Sequence, residues 1–180
     1  YCLIKPTRAD SVNSMPLSHL SSFPEARQFV LAELIKHSDL LDPVTRIEIK
    51  NYFLKQKVSG FCEFLAIQSK YQRFSSSDLG KLIHLLPMDF TSAAVGKSIL
   101  GNNVELIRML GQANPSLLTG TGGVKGELSF ALNNSSLEIV KTLLEFKDVC
   151  INHVGLKHCV PLHVAALRGN ADMVECLLNS

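Results

Sequence analysis

Four side chains of the kinds that bind zinc lie close together near the end of the chain. His153, His158, Cys159 and His163 fall within eleven residues. Imidazole nitrogens and thiolates are ligands that zinc prefers in proteins. The spacing is not a usual zinc-finger pattern, and we expect His153 and His158 on opposite arms of one hairpin loop. We therefore predict that these residues hold no metal.

A fragment of a phosphate-binding motif occurs at Gly96-Lys97-Ser98. The complete motif needs a glycine five residues before Gly96, where the sequence has Thr91, and a strand in front of the loop. No strand pattern precedes these residues. We therefore predict that they lie on a helix and bind no nucleotide.

A glycine-rich stretch, residues 120–126, has the composition of a loop that cradles an anion with backbone N–H groups. Glycine also adopts tight turn conformations at no steric cost, which suits a loop that folds back sharply between two helical segments. We favour this second interpretation, a turn in a hairpin loop.

No set of residues shows the spacing of a catalytic site. Cys62, His84 and the acidic residues share no local motif, so the sequence gives no reason to assemble them into a catalytic group. We predict a protein with no enzymatic activity, no cofactor and no small-molecule substrate.

Composition and charge narrow the class of protein. Hydrophobic residues make up 46% of the 180 residues and charged residues 19%, which is enough apolar material for a sizeable core. The formal net charge is only +2, so we expect no nucleic-acid partner. No apolar run approaches the ~20 residues of a membrane-spanning helix. The five cysteines are odd in number and include no Cys-x-x-Cys, which indicates reduced thiols and a cytoplasmic location.

Helical patterns fill the N-terminal half of the chain after an irregular lead-in, residues 1–23. Apolar side chains recur at helical spacing, and prolines and capping residues mark where each helix begins or ends. We therefore predict helical hairpins with short joints over residues 24–90. The predicted helices are 24–37, 43–57 after Asp42 and ended by Ser59-Gly60, 61–71, and 79–86 capped by 75–78 and stopped by Pro87.

From residue 91 onward the chain repeats itself every 33 or 34 residues. Three rows place matching residues at the same steps. They are Val95, Ser98, Leu106, Ile107 and Leu110 in the first row (93–125), Leu128, Ala131, Ile139, Val140, Leu143 and Leu144 in the middle row (126–159), and Leu162, Ala165, Met173, Val174, Leu177 and Leu178 in the last row (160–180). Each row predicts a pair of short helices that has to pack on its neighbours, because neither helix is long enough to be stable alone.

The last row resembles an ankyrin repeat. It keeps the Pro-Leu-His, Ala-Ala, Gly-Asn and Leu-Leu steps of that family, with Val160 in place of the usual Thr. The matching residues are Pro161, Leu162, His163, Ala165, Ala166, Gly169, Leu177 and Leu178. The resemblance implies an all-α fold, an ankyrin-type solenoid of about three repeats stacked on the N-terminal helices. The order of the helices, and not a motif, suggests 61–71 and 79–86 as one more, degenerate repeat. The resemblance also implies that His163 joins neighbouring loops by hydrogen bonds.

The resemblance further implies a concave binding surface, lined by the hairpin loops and by the exposed positions of each first helix. In each row these positions are the residue after the Pro-Leu-His step and the two after the Ala-Ala step. They are Lys97, Leu100 and Gly101; Phe130, Asn133 and Asn134; and Val164, Leu167 and Arg168, to which we add Lys125 and His158 in the hairpin loops. Phe130, Leu167 and Arg168 are the foremost candidates, because aromatic residues and arginine are frequent at binding hot spots. Phe130 has a second interpretation, which is to cover a poorly capped repeat.

Three functions are compatible with this surface. We favour a protein-protein interaction module, a scaffold or adaptor within a larger protein, that binds a partner protein or peptide. Alternatively, the repeats recruit the substrate of a separate activity in or beyond residues 24–90, as in signalling enzymes or in bacterial effectors delivered into a host cytoplasm. The third is a structural spacer in a longer solenoid. Ser180 follows a helix whose outer face is not polar, so we expect either further repeats after it, which we favour, or another element that covers this end.

Overall fold

The computed structural model describes residues 24–70, 74–119, 126–147, 149–152, 154 and 159–180. Within these residues all regular secondary structure is helical, as the sequence predicts. The predicted lead-in, residues 1–23, lies outside them. The α-helices are α1 (Pro24–Lys36), α2 (Pro43–Lys70), α3 (Ser76–Leu85), α4 (Met88–Leu100), α5 (Val104–Ala113), α6 (Glu127–Asn134), α7 (Leu137–Leu144), α8 (Pro161–Leu167) and α9 (Ala171–Leu178).

The helices stack in two lines that run across the sequence repeats. Helices α2, α4, α6 and α8 follow one another in the first-helix row, and α3, α5, α7 and α9 follow one another in the second-helix row. Within each repeat the two helices also pack together. One cluster of buried apolar side chains runs through the stack from Leu31 in α1 to Leu177 in α9. The fold is thus a helical solenoid, and α2 and α3 stand in the place of an additional pair before the first row.

Side-chain caps define several helix starts. The Ser75 Oγ atom accepts a hydrogen bond from the Asp78 N–H at 3.1 Å, and Asp78 accepts one from the Ser75 N–H at 3.0 Å. This reciprocal capping box lies where the sequence predicts a cap. Asp42 caps α2, while Asn103 and Asn170 accept a backbone N–H in the first turns of α5 and α9 at 3.0 and 3.1 Å. These caps satisfy N–H groups that have no partner inside the helix.

Helix α2 is broken at Lys57, the residue at which the sequence predicts the end of helix 43–57, but Ser59-Gly60 is not what ends it. Lys57 has φ 60° and ψ 177°, whereas Ser59-Gly60 is already helical. The left-handed backbone of Lys57 takes up the break, so Ser59-Gly60 starts the second segment of α2 and does not end the first. The Phe53 ring lies 5.6 Å from Phe61 and 5.1 Å from Phe64, which packs the two segments together.

Helix α4 begins at Met88, ahead of the predicted start of the first row at residue 93. Only two residues separate α3 from α4, whereas long loops follow α5 and α7. The added N-terminal turn of α4 is held by Phe90, whose ring lies 5.5 Å from that of Phe61 in α2. The pair α2–α3 therefore joins the stack without a hairpin loop. The predicted boundary near residue 90 falls inside α4, and the division of the chain into domains stays a prediction.

Candidate partner-binding site

Helix α4 carries the exposed positions of the first row on one side. Thr91, Ser92, Ala94, Val95, Ser98 and Ile99 are buried against neighbouring helices. The opposite side presents Ala93, Lys97 and Leu100, which recur at steps of four and three residues and so share one helix face. Leu100 is 57% exposed although its neighbours Ser98 and Ile99 are buried. This side of α4 is therefore available for contact.

A shallow depression, which we call the α4 groove, follows this face between α2 and α6. It is lined by Val58 from α2, by Ala93, Gly96, Lys97, Leu100 and Gly101 from α4 and its end, and by Phe130 from α6. The structure thus brings together Lys97, Leu100, Gly101 and Phe130 from the predicted set. Sequence reasoning missed Val58, Ala93 and Gly96. A glycine in the middle of a helix was a signal for Gly96, because glycine is unfavourable there.

Lys97 supplies the charge of the groove. Its amine donates a hydrogen bond to the hydroxyl of Ser59 in α2. Within the part of the chain that the structure describes, no carboxylate oxygen lies within 4.0 Å of this amine. By contrast, Lys81 pairs with Asp39 at 2.6 Å. The charge of Lys97 is therefore open to an anionic group.

Cys62 lies beside this cation but is not activated by it. Its thiol is half-buried, with the Sγ atom 4.0 Å from the carbonyl oxygen of Ala94. Burial raises the pKa of the Cys62 thiol above its ordinary value, and this outweighs the opposing effects of Lys97 and of a hydrogen bond with Ser98. A raised pKa disfavours the thiolate, so Cys62 is a packing residue and not a nucleophile.

The candidate residues of the last row differ in their exposure to solvent. Leu167 is 81% exposed, and Arg168 is exposed and donates a hydrogen bond to the carbonyl oxygen of Leu132 at the end of α6. Val164 is only 6% exposed, so its prediction as a surface residue is wrong. It lies three residues after Pro161 and one before Ala165, and all three face the packed side of α8.

The comparison with protein families agrees with this geometry. Residues 128–178 match the family model described as ankyrin repeats (many copies). These residues are similar to ankyrin repeats. They contain nearly all of α6 to α9, which are the helices of the middle and last rows. The predicted resemblance is confirmed for these rows. Outside the matched residues, α4 and α5 pack as a further pair, whereas α2 and α3 continue the two lines of helices but pack little on each other. No curated protein and no solved structure matches the chain.

The middle ankyrin repeat exposes Asn133 and Asn134 at the end of α6. The side-chain amide of Asn134 donates to the carbonyl oxygen of Phe130 at 2.9 Å. Phe130 itself is half-buried and packs against the core as well as lining the α4 groove. Both interpretations of Phe130, contact and cover, therefore have support in its position.

The remaining candidates are those that the sequence assigns to hairpin loops. Lys125, His153 and His158 are outside the described residues. Gly126, the last glycine of the glycine-rich stretch, has φ +81°, a conformation that favours glycine. Among the described residues, no group of three or more histidine, cysteine or acidic side chains could hold a metal ion. None of the described helices combines the length and hydropathy needed to cross a bilayer.

Proposed function

We propose that this chain binds a segment of a partner protein on its first-helix face, which comprises the α4 groove and the exposed residues of α6 and α8. Ankyrin repeats are in general protein-protein interaction modules, and the family match gives that coarse function. The finer proposal rests on one observation: Leu100, Phe130 and Lys97 meet in one open depression. Leu100 is exposed and Phe130 is half-buried, and apolar surface exposed together in one place is a feature of surfaces that contact another protein.

The opposite side of the stack is less suited to binding. On the second-helix row, Arg108 of α5 pairs with Glu145 after α7 through its guanidinium, at 3.0 Å. Helix α5 buries Leu106, Ile107 and Leu110 against its neighbours. Arg108 on this row thus has a carboxylate partner within the chain, whereas Lys97 on the first-helix face has none among the described residues. This difference supports the choice of face.

The proposed location is the cytoplasm of a cell, or of a host cell if the parent protein is delivered there. It is supported by the odd number of cysteines and the absence of Cys-x-x-Cys. We propose a protein or peptide partner and neither a nucleic acid nor a small molecule, because the formal net charge is only +2.

The test starts from a partner captured by the full chain from its native cell type. Leu100→Ala combined with Phe130→Ala, and Leu167→Ala combined with Arg168→Ala, should each weaken binding by about tenfold or more, as at a hot spot. Leu40→Ala is the control, because the Leu40 side chain is as exposed as that of Leu167, at 81%, but lies outside the first-helix row. Unchanged affinity in both double variants, with the helical circular dichroism intact, would contradict the proposal.

A further inference from the structure

We infer that the α4 groove takes an acidic segment of the partner, with a carboxylate at Lys97, an apolar side chain between Leu100 and Phe130, and its backbone against Gly96. This inference rests on the proposed function and names the chemistry of the partner. Three observations carry it: the glycine, the apolar walls and the open charge.

Gly96 has no explanation in the packing of the chain itself. It lies inside α4, where glycine is the least favourable residue other than proline. A Cβ atom built at this position would meet no other heavy atom within 4 Å. Gly111 in α5 is different, since its Cβ would lie 2.5 Å from atoms of both Leu118 and Phe146. Gly111 thus makes room for neighbours in the chain, whereas Gly96 makes room for something outside it.

The walls of the groove suit an apolar side chain. Leu100 stands at the end of α4 and Phe130 on the neighbouring α6, with Val58 on the α2 side. Between them, Ala93 and Gly96 leave the surface of α4 low, so that a partner's main chain can approach closely. A side chain seated here removes the exposed surface of Leu100 from water, which favours binding.

The charge of the groove selects an acidic segment. Among the described residues that line the groove, Lys97 alone is charged, and its amine donates a hydrogen bond to the Ser59 hydroxyl. A carboxylate placed beside this amine gains a charge-assisted hydrogen bond. A basic segment would instead place like charges together in partly desolvated surroundings, which is unfavourable. A single cation is also too little for a nucleic-acid backbone.

The experiment selects displayed random peptides on the immobilised full chain. The enriched peptides are then synthesised, and their affinities are measured by fluorescence anisotropy. We expect peptides that join aspartate or glutamate to an aliphatic or aromatic residue. Gly96→Leu should weaken their binding by about tenfold or more, because it fills the groove. Lys97→Met should weaken acidic peptides and leave amide-substituted versions of the same peptides unaffected.

Matched controls separate binding from stability. Gly96→Ala and Gly80→Ala are the same chemical change in the interior of a helix, and a Cβ at Gly80 meets only Ala113 O, at an ordinary 3.5 Å. Both should raise the urea midpoint, but only Gly96→Ala should weaken the peptides. The urea midpoint of Gly96→Leu should not fall below that of the wild type, because leucine is a good helix former and the position is open.

Four results would overturn the inference, and they differ in what they mean for the proposed function. If Gly96→Leu leaves the affinity of the enriched peptides unchanged but Leu167→Ala with Arg168→Ala abolishes their binding, the α4 groove is not the binding site. The proposal that the partner binds the first-helix face then still stands. Peptides that ignore all of these changes would refute both. Selection of basic peptides, or no enrichment over Gly96→Leu, would also refute the acidic-segment inference, while the captured partner still tests the face.

Discussion

Asn102 links two neighbouring repeats and has an unusual backbone. It lies in the joint between α4 and α5 with φ +49°, and its side-chain oxygen accepts a hydrogen bond from the Ser136 N–H, which precedes α7, at 3.0 Å. Gly169 has the corresponding place in the last row, with φ +65°. The position therefore needs a left-handed conformation, and Asn102 adds a bond between repeats that glycine cannot make. Asn102→Gly and Asn102→Ala separate the two contributions.

The magnitudes follow from the exposure of this bond. Both variants lose a hydrogen bond worth about 0.5–1.5 kcal/mol, and the lower end applies because water can reach the exposed Ser136 N–H. The left-handed conformation also costs about 1–2 kcal/mol for alanine, whereas glycine adopts it freely. We therefore expect Asn102→Gly to cost about 0.5–1 kcal/mol. Asn102→Ala should cost about 1 kcal/mol more than that.

Urea unfolding followed by far-ultraviolet circular dichroism measures both values. With a slope of about 2 kcal/mol per molar urea, the two variants should differ by roughly 0.5 M in midpoint. Asn133→Ala, at an exposed position in α6, is the control and should stay within about 0.5 kcal/mol of the wild type. Equal midpoints for the glycine and alanine variants would refute the backbone argument. If the urea midpoints of both variants equal that of the wild type, the hydrogen bond between Asn102 and Ser136 does not stabilise the stack.

Two further predictions concern the packing of the stack. Gly111→Ala should destabilise the chain by about 1–3 kcal/mol despite the better helix former, because Leu118 and Phe146 have to move; a melting temperature at or above that of the wild type would contradict this. Iodoacetamide at pH 8 should modify the exposed Cys150 faster than Cys62, because burial raises the pKa of the Cys62 thiol, and the rate at Cys62 should keep rising with pH. Peptide mass spectrometry measures both rates, and equal rates would show that the Cys62 thiol is accessible and ionised.

The last row shows how much of the fold the sequence contains. Pro161 opens α8, and Gly169-Asn170 separates it from α9, which begins at Ala171 as predicted. Each of these signals is local: a proline in the first turn, a glycine in a left-handed turn, and an asparagine whose side chain caps the next helix. Local chemistry decides these boundaries, so the sequence predicts them well.

The start of the first row depends on distant contacts and was predicted less well. Pro87 correctly marks the end of α3, but α4 follows almost at once, without the loop that a repeat period suggests. The contact between Phe90 and Phe61 fixes this joint, and these residues are far apart in sequence. The helix 43–57 ends where the sequence predicts, but nothing in the type of Lys57 indicates the left-handed backbone that ends it.

The candidate site shows the same division. Lys97 and Leu100 could be predicted, because helical spacing separates the exposed from the buried side of α4. Val164 was placed on the wrong side, because the rotation of α8 against its neighbours decides which positions are covered. Val58 comes from another helix, and no pattern in the sequence places it beside Phe130.

Side-chain footprinting of the complex tests binding on the first-helix face most directly. Hydroxyl radicals modify exposed leucine and phenylalanine, so the free chain should react readily at Leu100, Leu167 and Leu40. With the captured partner bound, we expect strong protection of Leu100 and Phe130 and unchanged reaction at Leu40. Unchanged reaction at Leu100, Phe130 and Leu167, with protection confined to residues outside the first-helix row, would contradict the proposed function.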